Sequence, residues 1–323
     1  MPAHRKDPHA RCSRRRCRRS VPAGRRPRPV AAELHRAGSE YGFLSIVNHG
    51  LDPELRAAAF AQAARFFALP LEDKRRSTMD TEGLFANRGY DGLGSRQLDE
   101  RTLPDLMESF MLGVDLAPDD PLVVAGTPMH GPNRWPDLDG FRPAIDAYHE
   151  AVQHIARTML EGFALALGLD EGFFRPFHRQ PIASLRLLHY PPRPAGTPGE
   201  QLGIGAHTDW GALTVLTQDG VGGLQVLDRD GSWLDVRPTE DALVINLGDL
   251  MELWTNGRYR STLHRVVGDP TRDRYSIALF FDLDWHGRIE VLPTCIDADH
   301  PARYGATTVG EHLLRKFTAS VVY

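Results

Sequence analysis

Between residues 182 and 292 the chain is a series of short β-rich runs, and no other feature constrains the fold as much. The runs span 182–190, 202–207, 213–217, 224–226, 233–236, 242–247, 264–267, 275–281 and 289–292. Asp219-Gly220, Asp230-Gly231 and Asn256-Gly257 supply turn signals between them. Short strands at a spacing of about 8–12 residues indicate a sandwich or barrel.

The preceding part reads differently. Residues 30–41 read as a helix, 42–47 as a strand closed by Asn48-His49-Gly50, and Asp52-Pro53 opens a helix that runs to Phe67. Residues 79–103 are rich in Gly, Asp and Arg and read as irregular. The clearest helix is 141–167, where Ile145, Tyr148, Val152, Ile155, Met159, Phe163 and Leu167 follow steps of three and four before Gly168. Such a stripe is core packing. Residues 309–317 read as a final helix, and no internal repeat is present. The predicted fold class is mainly β with flanking helices, a jelly roll preceded by helical segments.

Charge separates the start of the chain from the rest. The whole carries −4, from 38 Lys+Arg against 42 Asp+Glu. Residues 1–29 hold 11 of those basic residues and one acid, Asp7, which leaves 27 basic against 41 acidic residues, a net −14, for the remainder. A body that acidic repels phosphate backbones and anionic membranes, so neither nucleic acid nor a membrane is an expected partner. Residues 1–29 lack apolar periodicity and are read as a disordered basic tail. An Arg-rich transit peptide and a start codon placed too early are the other readings. A signal peptide is not, because no apolar run follows the arginines. Cys12, Cys17 and Cys295 make neither a zinc site nor a disulfide framework, and a reducing cytoplasm is the expected location.

The chemistry concentrates in three places. His207 and Asp209 are two residues apart at a strand end and so share a face. His264 begins another strand 55 residues later. Two imidazoles and one carboxylate form the face that non-haem Fe(II) oxygenases use, with half an octahedral shell left open. Arg274 and Ser276 then share a face of the next strand. A guanidinium inside a barrel requires an anion, because an unpaired buried charge is very costly, and with the nearby hydroxyl it can clamp a dicarboxylate.

These residues sit in recognisable surroundings. Gly205-Ala206-His207-Thr208-Asp209-Trp210-Gly211-Ala212-Leu213-Thr214, then Leu263-His264-Arg265-Val266, then Arg274-Tyr275-Ser276-Ile277-Ala278 closely resemble the isopenicillin N synthase-like family of Fe(II)/2-oxoglutarate-dependent dioxygenases. The stretch from Glu40 to Gly50 and His189-Tyr190-Pro191-Pro192 fit the same family. The resemblance covers about residues 30–323. It implies a distorted jelly roll, the double-stranded β-helix, with 30–140 as an N-terminal region of helices and strands and 141–323 as the jelly-roll core with its long backing helix, the two forming one unit. It assigns His207, Asp209 and His264 to Fe(II), Arg274 and Ser276 to the distal carboxylate of 2-oxoglutarate, and Tyr190 to the same co-substrate. Two features depart from the family. Leu188 stands where many plant relatives carry Asn, and no opening edge strand is found in residues 25–30.

The implied activity is oxidation of a small organic substrate, by hydroxylation, with O2 consumed and succinate and CO2 released, in a monomeric protein. Alternatives within the fold are an Fe(II) oxidase of the isopenicillin N synthase or aminocyclopropane-carboxylate oxidase type that does not use 2-oxoglutarate, and an ethylene/succinate-forming enzyme. A non-catalytic jelly roll that binds a small acid is the alternative of another class. Strand parity turns Arg186, Leu188, Val266 and Phe280 inward as candidate walls, with Arg186 either facing an anion or held in a structural salt bridge. The substrate pocket is also expected to draw on residues 87–90, with Tyr90 as its candidate, and on Met107, Phe110 and Trp254. His189 and Trp210 are expected to face away from the site, and Gly220 to Gly223 to form a turn.

Overall fold

The structure, a computed structural model, describes residues 28–79, 87–99, 101–193, 196–198 and 201–320. Of the basic segment 1–29, all but the last two residues lie outside the described residues, as do Cys12, Cys17 and residues 80–86 of the segment expected to be irregular.

Helix α1 (Arg28–Glu40) leads into strand β1 (Phe43–Ile46), followed by α2 (Pro53–Phe67), α3 (Leu71–Arg75), β2 (Gly89–Asp91), β3 (Glu108–Leu112), α4 (Pro121–Val124) and the 26-residue α5 (Phe141–Ala166). The β-rich part then gives β4 (Pro181–Tyr190), β5 (Ile204–His207), β6 (Leu213–Gln218), β7 (Leu224–Leu227), β8 (Trp233–Asp235) and β9 (Leu243–Leu247). After α6 (Asp249–Trp254) come β10 (His264–Val266), β11 (Arg274–Asp284), β12 (Arg288–Ile289), β13 (Thr307–Thr308) and α7 (Val309–Ser320).

Seven strands form one sheet in the order β1-β9-β6-β11-β4-β3-β2, and four form a second in the order β5-β10-β7-β8. Every pair of these strands is antiparallel, so each strand delivers alternate residues to opposite faces. The central strand β11 shows this division. Ile277, Leu279 and Phe281 enter the large core that includes α5, whereas Ala278 enters a smaller core with Leu188, Tyr190, Ile204 and Val266 between the sheets. The result is a double-stranded β-helix with a helical backing.

Local chemistry explains the helices. Asp52 caps α2 by accepting the Glu54 amide, and Pro53 occupies the first turn, where its missing N–H costs nothing. Helix α5 buries the predicted stripe, including Ile145 and Phe163 at 0% exposure, and each such side chain contributes about 1.5–3 kcal/mol by leaving water. Gly168 follows it with φ of 74°.

The structure departs from the sequence reading at several elements. Within 79–103, residues 89–91 form a strand at the edge of the large sheet. Strand β3 and helix α6 have no counterpart in that reading, since both are short and lie beside apolar residues that carry no clear period. Of the run expected at 289–292 only Ile289 is strand, with Arg288 before it, because Val291 and Leu292 bury without a strand partner ahead of Pro293. Helix α1 begins at Arg28, two residues inside the segment read as a disordered tail, and residues 28–30 hold no opening strand, as the sequence reading had it.

Candidate metal centre

Strands β5 and β10 are antiparallel neighbours, and their register sets His207 directly opposite His264. The ring centroids are 4.2 Å apart. Asp209 follows β5 by two residues, and one ligand atom from each of the three residues falls within 4.8 Å of the others. Oδ1 of Asp209 lies 3.9 Å from Nε2 of His207 and 3.7 Å from Nε2 of His264.

Hydrogen bonds fix which atoms face that point. Nδ1 of His207 is 2.8 Å from the Gly205 carbonyl and Nδ1 of His264 is 3.0 Å from the Thr262 carbonyl. A carbonyl only accepts, so each Nδ1 carries a proton and each Nε2 is the nitrogen left to ligate. Oδ2 of Asp209 accepts from the Thr214 hydroxyl and from the Asn246 amide, the latter at 2.6 Å, which leaves Oδ1 free of both. Two imidazole Nε2 atoms and one carboxylate oxygen on a common face suit Fe(II).

Electrostatics favour the ligating forms. Burial, with the adjacent His264 ring, lowers the His207 pKa to about 4, so it is neutral at pH 7. Burial alone pushes the Asp209 carboxyl up, but His264, His207 and its two hydrogen bonds outweigh this and hold it below the usual carboxylate range. Asp282, packed against Gly211, is pushed up to about 8 by burial and by the Asp209 charge, so it is mainly protonated at neutral pH. Asp209 is therefore the carboxylate that carries the charge here.

At the start of β11, on the face that Ala278 gives to the smaller core, Arg274 is 1% exposed. Its guanidinium donates to Gln218 Oε1 at 3.0 Å, to Ser276 Oγ at 3.3 Å and to the Gly222 carbonyl, and its Cζ lies 4.5 Å from the centre of the Tyr190 ring. All three acceptors are neutral, and among the described residues no carboxylate lies within 4.0 Å of it. A buried cation without an anion is strongly unfavourable, so the site matches a carboxylate-bearing ligand.

The candidate walls divide. Leu188 and Val266 are buried in the inner core, and Phe280 packs against it. Arg186 also points inward, but its Nε donates to Ser109 Oγ at 3.0 Å and its Nη2 lies 3.8 Å from Asp91 Oδ2. The structural salt bridge offered as one reading for it is present. Tyr90 corrects the sequence reading: its ring packs on Phe66 in the outer core and its hydroxyl donates to Glu108 Oε2 at 2.6 Å. Pairing of β2 with β3 sets Tyr90 opposite Phe110, so both share the face that meets the helices. Trp254 likewise packs among Phe174 and Phe177, whereas Met107 belongs to the inner core. His189 turns away, between Glu108 and Asp273, and Trp210 packs toward Phe317 of α7.

Sequence reasoning missed Thr214, Asn246 and Gln218. Asn246 carried a signal: it is a polar residue in the otherwise apolar run Leu243–Leu247 and is 3% exposed. Among the described residues, no helix is long and apolar enough to cross a membrane.

Comparison with known proteins accords with this geometry. Residues 181–283 match the family model of the 2OG-Fe(II) oxygenase superfamily, and residues 20–138 match the model described as non-haem dioxygenase in morphine synthesis N-terminal. The 2-oxoglutarate-Fe(II) type oxidoreductase hxnY of Emericella nidulans is 42% identical over 282 residues, covering 85% of this chain and 80% of that protein. The 2-oxoglutarate-dependent dioxygenase citB of Monascus ruber is 38% identical over 302 residues, covering 91% and 90%. A full-length Neurospora crassa protein, solved in complex with alpha-KG, superposes with a TM-score of 0.80 at 31% identity, covering 92% of this chain and 93% of that one. A further structure of that Neurospora crassa protein contains alpha-KG and thymine. The family models, the shared fold and the identity along most of the chain lead to one conclusion: the chain belongs to the 2OG-Fe(II) oxygenase superfamily and is an oxidoreductase that uses Fe(II), 2-oxoglutarate and O2.

Proposed function

We propose that this enzyme hydroxylates a C–H bond of a small organic molecule while 2-oxoglutarate is converted to succinate and CO2. His207, Asp209 and His264 hold Fe(II) through Nε2, Oδ1 and Nε2. The metal supplies O2 activation and electron transfer, which no side chain provides. Arg274 and Ser276 bind the distal carboxylate of 2-oxoglutarate and set the depth at which it sits, with Tyr190 beside them. Leu188, Val266 and Phe280 exclude water and shape the space left for substrate, and Arg186 with Asp91 gives that space its polar side. The thymine found in the Neurospora crassa relative supports a substrate of small size.

One observation carries the reading: Arg274 is buried with neutral hydrogen-bond acceptors and, among the described residues, no carboxylate within 4.0 Å. The test is anaerobic addition of Fe(II) and 2-oxoglutarate, followed by succinate and CO2 measurement in air with candidate substrates. A visible charge-transfer band and stoichiometric succinate are expected. A band-free titration with no turnover of the 2-oxo acid would instead favour the oxidase alternative.

A further inference from the structure

Asp105 lies between β2 and β3 and is 0% exposed. Its Oδ1 accepts the backbone N–H of Gly205 at 2.8 Å, across 100 residues of sequence. The carbonyl of that same glycine accepts Nδ1–H of His207, also at 2.8 Å. We infer that Asp105 is a positioning residue for His207, tying the segment around it, residues 101–106, to one of the iron ligands through Gly205.

Three observations support this. The segment is fastened at Asp105 and beside it: the Asp105 amide donates to the Arg96 carbonyl at 2.7 Å and the Leu106 amide to the Leu202 carbonyl at 2.9 Å. Gly205 permits the approach, because a Cβ there would sit 2.9 Å from Asp99 Cβ and 3.0 Å from the Asp99 amide nitrogen. The carboxyl is also kept at a cost. Its Oδ2 is buried without a well-formed hydrogen bond, and burial pushes its pKa up to about 6 against the pull of the Gly205 and Leu98 amides and of Arg186 and Arg96. Core packing does not explain such a carboxyl at this point, but the bond to Gly205 does. The His264 ring is held in the same way, by the Thr262 carbonyl two residues back. Leu98 and Met107, on either side of Asp105 in the chain, pack into the inner core, so contacts made there reach His207 through Asp105.

The inference rests on His207 being an iron ligand, and the experiment separates the two. Full-length protein is titrated anaerobically with Fe(II) at saturating 2-oxoglutarate, the charge-transfer band is followed, and thermal unfolding of the metal-free protein is recorded in parallel. Asp105→Ala is expected to weaken Fe(II) binding about 10- to 100-fold and to shift the band, as loss of an outer partner of a ligating histidine does. Asp105→Asn, whose amide oxygen still accepts from Gly205, is expected to stay within about threefold of wild type. Val152→Ala in α5 provides the comparison: it lowers the unfolding temperature and leaves Fe(II) affinity unchanged. Wild-type affinity and band in Asp105→Ala overturn the inference, and so do equal losses in Asp105→Asn and Asp105→Ala. Should Asp105→Ala fail to fold, Gly205→Ala tests the same link by displacing the chain at Asp99, and unchanged Fe(II) affinity there also overturns it. Absence of any band in the wild type would count against the iron-ligand reading itself.

Discussion

Asn246 donates its side-chain amide to Oδ2 of Asp209 over 2.6 Å, from a strand that lies 37 residues further along the chain. Together with the Thr214 hydroxyl, this bond decides which carboxylate oxygen faces the two histidine Nε2 atoms. Replacing Asn246 with Leu keeps the volume and removes the donor. Fe(II) affinity is expected to fall about 10- to 100-fold, as measured by anaerobic titration. Unchanged affinity would show that Asp209 holds its orientation without help.

Arg274 tests the co-substrate site. Arg274→Met removes the charge and is expected to weaken 2-oxoglutarate binding by about 2–4 kcal/mol, or about 30- to 1000-fold. Arg274→Lys keeps the charge but loses the planar fork that serves Gln218, Ser276 and Gly222, so an intermediate loss is expected. The apparent KM for 2-oxoglutarate reads both. A 2-oxo acid without a distal carboxylate should bind wild type and Arg274→Met with similar affinity. Equal weakening of both 2-oxo acids in the variant would mean that Arg274 does not meet that carboxylate.

His149 of α5 predicts a pH dependence of stability. It is 6% exposed, its Nε2 lies 3.0 Å from the Ala183 carbonyl, and burial lowers its pKa to about 4. Because the folded pKa lies below the unfolded value, the unfolded chain takes up the proton first as pH falls. Stability is therefore full above about pH 6.5 and declines toward pH 4, by up to about 3 kcal/mol from this group. His207 acts with the same sign in the same window. Urea unfolding of the metal-free protein between pH 7 and 4 should show the decline, and His149→Gln should flatten it. An identical slope in the variant would remove His149 from the account.

Glu108 joins four elements on the outer side of the large sheet. It accepts from Lys74 at 2.7 Å, from the Tyr90 hydroxyl at 2.6 Å and from His189 at 2.8 Å, all in buried or nearly buried surroundings. Glu108→Leu leaves Lys74 without its carboxylate and is expected to cost about 3–5 kcal/mol. Glu108→Gln retains an acceptor and should cost less. Chemical denaturation measures both, and near-neutral behaviour of the leucine variant would contradict the role given to this cluster.

Much of this molecule was determined locally and could be read from the chain alone. Period-two alternation put His207 with Asp209 and Arg274 with Ser276, because neighbouring side chains of a strand must face opposite ways. The stripe from Ile145 to Leu167 specified the backing helix for the same kind of reason, a period set by the backbone. Tertiary structure decided the rest. Tyr90 faces the helices and not the cup because β2 pairs with β3 at the sheet edge, and a three-residue strand holds no sign of its partner. The partners of Asp209, Arg274 and His207 come from Asn246, Gln218 and, through Gly205, Asp105. Hydrogen bonds that span 37, 56 and 100 residues leave no local period, because they exist only once the sheets have closed and water has been excluded around them.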